Sequence, residues 1–172
     1  MLIAILEDRV FRKRTKEPYQ KRWTVRCFVY NENDELVFLR IKGTDALGRR
    51  NHVETIGGGV ENEESLEDAV KREIREEIGY ECEIIEDIGY IVDHYNSLNR
   101  ETISNYFAVK LTEYIGGESR TEEEEALIEG TETYSESEVM DMLKDYTKRS
   151  VNELVQRRDL IAFEYYIKHK KH

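Results

Sequence analysis

The stretch GGGVENEESLEDAVKREIREEIGY, residues 57 to 80, constrains the chain more than any other. Ser65 followed three residues later by Asp68 gives a capping-box pattern, and Gly79 is placed as a helix stop. A glycine-rich loop therefore leads into a helix over 65 to 79. At about 100° per residue, Leu66, Ala69, Val70, Ile74 and Ile78 span one arc of that helix. Glu77 falls inside the arc close to Leu66, Glu73 falls between Ala69 and Leu66, and Glu76 sits at the edge beside Ala69. Asp68, Lys71, Arg72 and Arg75 occupy the other side. Glu67 also falls on the apolar arc, in the first turn, where exposure and the helix dipole accommodate it.

A solvated charge face would group its glutamates with the lysines and arginines, whereas an unpaired carboxylate facing the protein is costly. The dipole's negative end and the like charges three and four residues apart add to that cost. Glu73, Glu76 and Glu77 must then either raise their pKa values or share a cation. A cluster of hard oxygen ligands suits Mg²⁺ or Mn²⁺, with water and substrate phosphates completing the shell. Arg72 and Arg75 point elsewhere on the wheel.

Around this helix the chain reads as strands and further helices. Strand-like runs cover 2 to 8, 22 to 31, 35 to 43 and 52 to 58, with YNENDEL as a hairpin connection between the second and third. Residues 81 to 96 and 100 to 114 read as a long strand pair. Helices are expected at 135 to 146, capped by Ser135, and at about 150 to 170. The pattern predicts one α/β domain over 1–172, a mixed sheet covered by helices. The run TEEEEA, residues 121 to 126, reads as an acidic loop.

Composition narrows the function. With 26 Lys and Arg against 37 Asp and Glu, the net charge is −11, which argues against a nucleic-acid duplex or an anionic membrane as partner. A phosphorylated small molecule remains compatible where a bound cation reverses the local field. Cys27 and Cys82 form no CxxC pair, and MLIAILEDRV, with its short apolar stretch and early Glu-Asp, is not expected to act as a signal peptide. A cytoplasmic protein is the expectation.

Gly58, Glu64, Arg72, Glu73, Ile74, Glu76, Glu77 and Gly79 stand at the spacing G-x5-E-x7-R-E-U-x-E-E-x-G-U, where U is bulky and apolar and Tyr80 fills the last place. This resembles the Nudix box of MutT-like hydrolases. The resemblance implies an α/β/α sandwich with a loop-helix-loop and a pyrophosphohydrolase for nucleoside diphosphates linked to another moiety. By position, Glu76 and Glu77 would be Mg²⁺ ligands and Glu73 a ligand or the base that activates water. The Gly57 carbonyl often adds a ligand in the family, while Gly58, Glu64, Arg72 and Gly79 would be mainly structural. A further acid from a later loop is expected among Glu122 to Glu125, with Glu125 taken as the metal ligand. Glu54 lies where some nucleoside-diphosphate-sugar hydrolases carry a functional Glu. The family includes dimers built through N-terminal strands, so the first strand is a candidate dimer element.

For the rest of a nucleotide-like substrate, Tyr95 and Tyr106 are candidate stacking surfaces, with Tyr90 and Phe107 beside them, and Arg100 a candidate phosphate contact. His52 and His94 read as local hydrogen-bonding residues, Trp23 as a packed ring, and KHKKH as a solvated end. Three rivals compete: a non-catalytic domain that binds and senses a nucleotide, an isomerase of prenyl diphosphates on the same fold, and a structural protein with an acidic helix.

Overall fold

A computed structural model describes residues 1–45, 48–145 and 151–170, Val151 by its backbone only. The strands are β1 (Leu2–Glu7), β2 (Gln20–Tyr30), β3 (Leu36–Asp45), β4 (Gly48–Glu54), β5 (Tyr80–Tyr95), β6 (Arg100–Tyr114) and β7 (Ile128–Tyr134). The helices are α1 (Leu66–Ile78), α2 (Glu122–Leu127), α3 (Glu136–Lys144) and α4 (Val151–His169). The expected positions Tyr146, Ser150 and the last two residues of KHKKH lie outside the described residues.

The sheet is mixed, in the order β1-β5-β6-β2-β3-β4, with β7 on the other edge of β3. Pairs β1–β5 and β2–β6 are parallel; β5–β6, β2–β3, β3–β4 and β3–β7 are antiparallel. Side chains alternate across β2 as strand geometry requires. Val25, Cys27 and Val29 join Ala69, Val70, Ile74 and Ile78 of α1 in one core. Phe28 and Tyr30 face the other way, with Val139 of α3 and Phe163 and Tyr166 of α4 in the second core. Helices on both faces make this the expected α/β/α sandwich.

Two register pairs, Val29↔Val37 and Tyr30↔Leu36, join β2 to β3. Beyond them the strands part, and the freed edge of β2 pairs instead with the loop before α1, through Cys27↔Ile56 and Thr24↔Gly59. That fork in the sheet creates the space for the site.

Helix α1 begins after Ser65, whose side chain accepts from the Asp68 amide, and ends at Gly79 in the left-handed region at φ 72°. The N-terminal cap differs from the expected reciprocal box: the short Asp68 carboxylate accepts from the Ser65 hydroxyl at 2.7 Å. Full boxes form instead at Thr121 with Glu124 and at Ser135 with Glu138, where glutamate is long enough to reach back. The acidic run read as a loop is therefore the short helix α2. Strand β7 follows it with no sequence signal, since of its seven residues only Ile128 is buried. Trp23 is 51% exposed rather than packed, because it lies in the exposed first four residues of β2.

Candidate metal centre

The site starts from the glycines. The Cys27 amide donates to the Ile56 carbonyl at 2.8 Å and the Val25 amide to the Gly58 carbonyl at 3.0 Å, which fixes the loop against β2. Gly57 has φ 133°, and a Cβ there would stand 2.3 Å from the Val25 carbonyl oxygen. A Cβ on Gly58 would stand 2.6 Å from Glu73 Oε1. Both absences let loop, strand and helix approach one another closely.

On α1, Glu73 and Glu77 are buried at 4% and 5% exposure. Glu77 Oε2 accepts a hydrogen bond of 2.8 Å from the Gly57 amide. Burial, then the Glu73 charge, pushes the Glu77 carboxyl up to about 8 against the pull of that bond. Burial also raises Glu73, opposed by its hydrogen bond from Arg72. The third carboxylate comes from α2: oxygens of Glu73, Glu77 and Glu124 all lie within 4.8 Å of one another. The other bonds of Glu124 hold it in place, its Oε2 accepting from the Thr121 amide at 2.7 Å.

Arg72 ties the box together and does not point away, as the helical wheel alone implied. Its Nε donates to Glu64 Oε1 at 2.8 Å, its Nη1 to Glu73 and Glu76 at 2.8 and 2.9 Å, and its Nη2 to the Gly59 carbonyl at 2.8 Å. A wheel fixes where a side chain leaves the helix, and a long guanidinium then reaches one turn onward and back to the loop. The C-terminal end of α1 is answered by Arg120, whose Nε and Nη2 donate to the Glu77 carbonyl at 3.0 and 2.6 Å.

The expected site residues divide as follows. Gly57, Gly58, Glu77, Glu54, Tyr95 and Arg100 line one cleft of about 690 Å³, together with Glu122, Glu123 and Glu124 of α2. Glu73 meets Glu77 and Glu124 from α1. Glu76 is half-buried with its Oε2 on Arg72, outside the three-carboxylate group. Glu125 belongs to α2 but also stands outside that group, and Glu124 takes the place expected of it. One helical residue further on turns a side chain by about 100°.

Glu54 is buried on β4 in a chain with Arg50, His52 and Asp45: His52 Nε2 is 2.6 Å from Glu54 Oε1, and Arg50 contacts both Glu54 and Asp45. Burial, then Arg50, lowers the His52 imidazole to about 4, so it is neutral at neutral pH. Arg100 lies over the Tyr95 ring, 5.0 Å from its centroid. Tyr106 does not reach the cleft. It is fully buried, and its hydroxyl donates to Asp159 Oδ1 at 2.5 Å and accepts from Arg158 Nε at 2.8 Å. The strand pairing that suggested a binding ring points it into the core beside Phe28.

Beyond Arg100, the cleft holds four arginines not anticipated from the sequence, Arg22, Arg26, Arg50 and Arg158. The signal was present in RWTVRC, because strand alternation puts Arg22, Thr24 and Arg26 on one face. Arg50 and Arg158 gave none, since their positions depend on the packing of β4 and α4.

The carboxylate group fits a hard divalent cation. Three carboxylates converge, Glu73 and Glu77 buried and Glu124 half-buried, and burial raises the proton affinity of Glu73 and Glu77, the state expected of ligands that a cation would neutralise. A mixed sheet between helices, with a glycine loop and an acidic helix beside a forked cleft, is the frame that holds this carboxylate group. The NUDIX domain model matches residues 20–155, and the chain belongs to the NUDIX family of hydrolases.

Solved structures agree in fold. A MutT protein from Methanosarcina mazei Go1 superposes with TM-score 0.65 at 18% identity, covering 91% of this chain and 99% of its own. A NUDIX hydrolase from Nitrosomonas europaea gives TM-score 0.65 at 16% identity, covering 89% and 93%. A UDP-X diphosphatase gives 0.59 at 15%, covering 92% of this chain and 68% of its own. No match is found among curated proteins.

Proposed function

We propose that the protein hydrolyses a pyrophosphate bond in a nucleotide-like substrate, a nucleoside diphosphate linked to another moiety, with Mg²⁺ or Mn²⁺ as cofactor. The observation that carries this reading is the Glu73–Glu77–Glu124 group facing a cleft with an arginine wall. In the reaction, water adds its oxygen to one phosphorus, the bridging oxygen leaves with the other, and a proton must be removed from the water. A divalent cation held by the three carboxylates would neutralise phosphate charge and acidify that water.

The chain supplies the rest. Gly57 fixes the Glu77 carboxylate through its amide, and Arg72 fixes Glu73 and Glu76. Glu73, buried and raised above the ordinary carboxylate range, is suited to hold a proton taken from water. Glu76, half-buried on Arg72, stands ready as a further ligand. The position of Arg100 on the cleft wall supports its reading as a phosphate contact.

The reading includes a single domain over 1–172, a cytoplasmic protein, and a homodimer through β1, whose Leu2 and Ile5 are exposed at the sheet edge. No helix among the described residues is long and apolar enough to cross a membrane. The test is a panel of nucleoside triphosphates, nucleotide sugars and dinucleotides incubated with Mg²⁺, with the products identified. Release of a phosphorylated product from one class supports the proposal. Tight binding without turnover would replace it with a sensing domain.

A further inference from the structure

Five arginines line the cleft, and the structure treats them in two ways. Arg50 is answered by Asp45 and Glu54, and Arg158 by Asp93 and Asp159, all of them carboxylates of the fold itself. Arg22, Arg26 and Arg100 have no carboxylate within ion-pairing distance among the described residues. Arg26 Nη1 gives a hydrogen bond of 3.3 Å to the Thr55 carbonyl. Buried guanidinium nitrogens without a hydrogen-bond partner occur on Arg26 and Arg100 and also on Arg50 and Arg158, so the missing carboxylate is what sets Arg26 and Arg100 apart. In a chain of net charge −11, acids to pair with them were not scarce.

The three sit together. Arg22 and Arg26 share one face of β2, and Arg100 opens β6, the parallel neighbour of β2. The Arg22 guanidinium is held below its ordinary range by loss of solvent in the cleft, then by Arg100 and Arg26. Its Nη2 lies 3.3 Å from where a Gly59 Cβ would stand, one residue from the glycine that packs on Glu73. The cationic wall therefore borders the carboxylates, with Arg22 beside Gly59 and the Arg26 charge felt by both Glu73 and Glu77. Unpaired guanidinium groups converging on a concave wall are costly unless an anion completes them, and their planar fork suits phosphate oxygens. A nucleobase finds less here: Tyr95 is the aromatic ring on the lining, and Arg100 covers its face.

We propose that Arg22, Arg26 and Arg100 form a subsite for a further phosphoryl group. The preferred substrate then carries at least three phosphoryl groups, either in one chain or as a diphosphate plus a separate phosphate, rather than a diphosphate joined to a neutral sugar. The inference rests on the hydrolase reading for its substrate but not for its anion site.

Calorimetric titration of the whole protein in EDTA, with inorganic tripolyphosphate and with pyrophosphate, tests the anion site directly. Tripolyphosphate should bind roughly tenfold more tightly, the equivalent of one additional charge-assisted hydrogen bond. Equal affinity overturns the proposal, whatever the variants do. The double variant Arg22→Gln/Arg100→Gln should lose that preference yet keep the rise in melting temperature on adding Mn²⁺, which reports an intact fold and carboxylate group. A preference unchanged in that variant also overturns it. Mg²⁺-dependent turnover is scored separately. A tripolyphosphate preference without turnover of any compound leaves the subsite standing and removes the hydrolase reading. Turnover with equal affinity for the two anions does the reverse.

Discussion

The Glu77 carboxylate and the Gly57 amide, 20 positions apart, are joined by a hydrogen bond of 2.8 Å. This bond holds an acid in place while burial works against its charge, and Glu77 stays raised to about 8. Without a cation, the folded protein binds a proton at Glu77 that the unfolded chain, near 4.5, releases. The sign follows: metal-free stability falls as pH rises from about 5 to about 8. Glu77→Gln removes that contribution. Its metal-free melting temperature should fall less steeply with pH than that of wild type across this range, Glu73 and His94 supplying the slope that remains, while Mg²⁺-dependent turnover drops more than about 100-fold, beyond what loss of a partner behind a ligand costs. A wild-type pH slope in the variant would take Glu77 out of this role.

Glu124 and Glu125 are neighbours on α2, but Glu124 meets Glu73 and Glu77. Glu124→Gln should reduce the Mn²⁺-induced rise in melting temperature. Glu125→Gln should leave it within error of wild type. Differential scanning fluorimetry across a Mn²⁺ series separates the two, and equal losses would place the site elsewhere on the helix.

Arg72 spreads its hydrogen bonds over Glu64, Glu73, Glu76 and the Gly59 carbonyl. Arg72→Lys keeps the charge but loses the fork. Chemical denaturation should report a loss on the order of 2 kcal/mol, typical of charge-assisted bonds broken at a half-buried place. A lysine variant as stable as wild type would mean that charge, not geometry, holds the loop.

His94 lies between Glu7 of β1 and Glu101 of β6, at 2.7 and 3.0 Å, stacked on Tyr19. Burial lowers its imidazolium, but the bonds to Glu101 and Glu7 outweigh it and hold the group above its ordinary value of 6.5. A raised folded-state value gives stability that is complete below 6.5 and fades as pH climbs through the folded value. His94→Gln should therefore cost stability at pH 6 and much less at pH 8.5, measured as melting temperature. A cost that does not vary with pH would assign His94 to packing alone.

Much of this molecule was legible because helix and strand periods are local. The α1 boundaries followed from Ser65 and Gly79, and the inward turn of Glu73 and Glu77 from the 100° step. What the sequence hid depended on distance in space. Strand β7 buries too few side chains to carry a pattern, so the edge of β3 it covers was invisible. The choice of Glu124 over Glu125 depended on the cap at Thr121, and the core position of Tyr106 depended on Asp159, 53 residues away. Arg72 was misjudged because a wheel records where a side chain departs, not where it arrives.

The loop after β6 is fastened to α1 through main-chain oxygens. The Ser119 amide donates to the Glu76 carbonyl at 3.0 Å, Arg120 donates to that of Glu77, and the Ile115 and Gly116 amides donate to that of Gly79. Carbonyl oxygens belong to every residue type, so replacing the side chain of Glu76 or Glu77 leaves these anchors in place. Reactivity and scaffold are thereby separable in this protein. Its acids can be exchanged one at a time, by an experimenter or by evolution, while the helix bearing Glu124 keeps its station, which leaves the chain room to acquire new chemistry without first losing its shape.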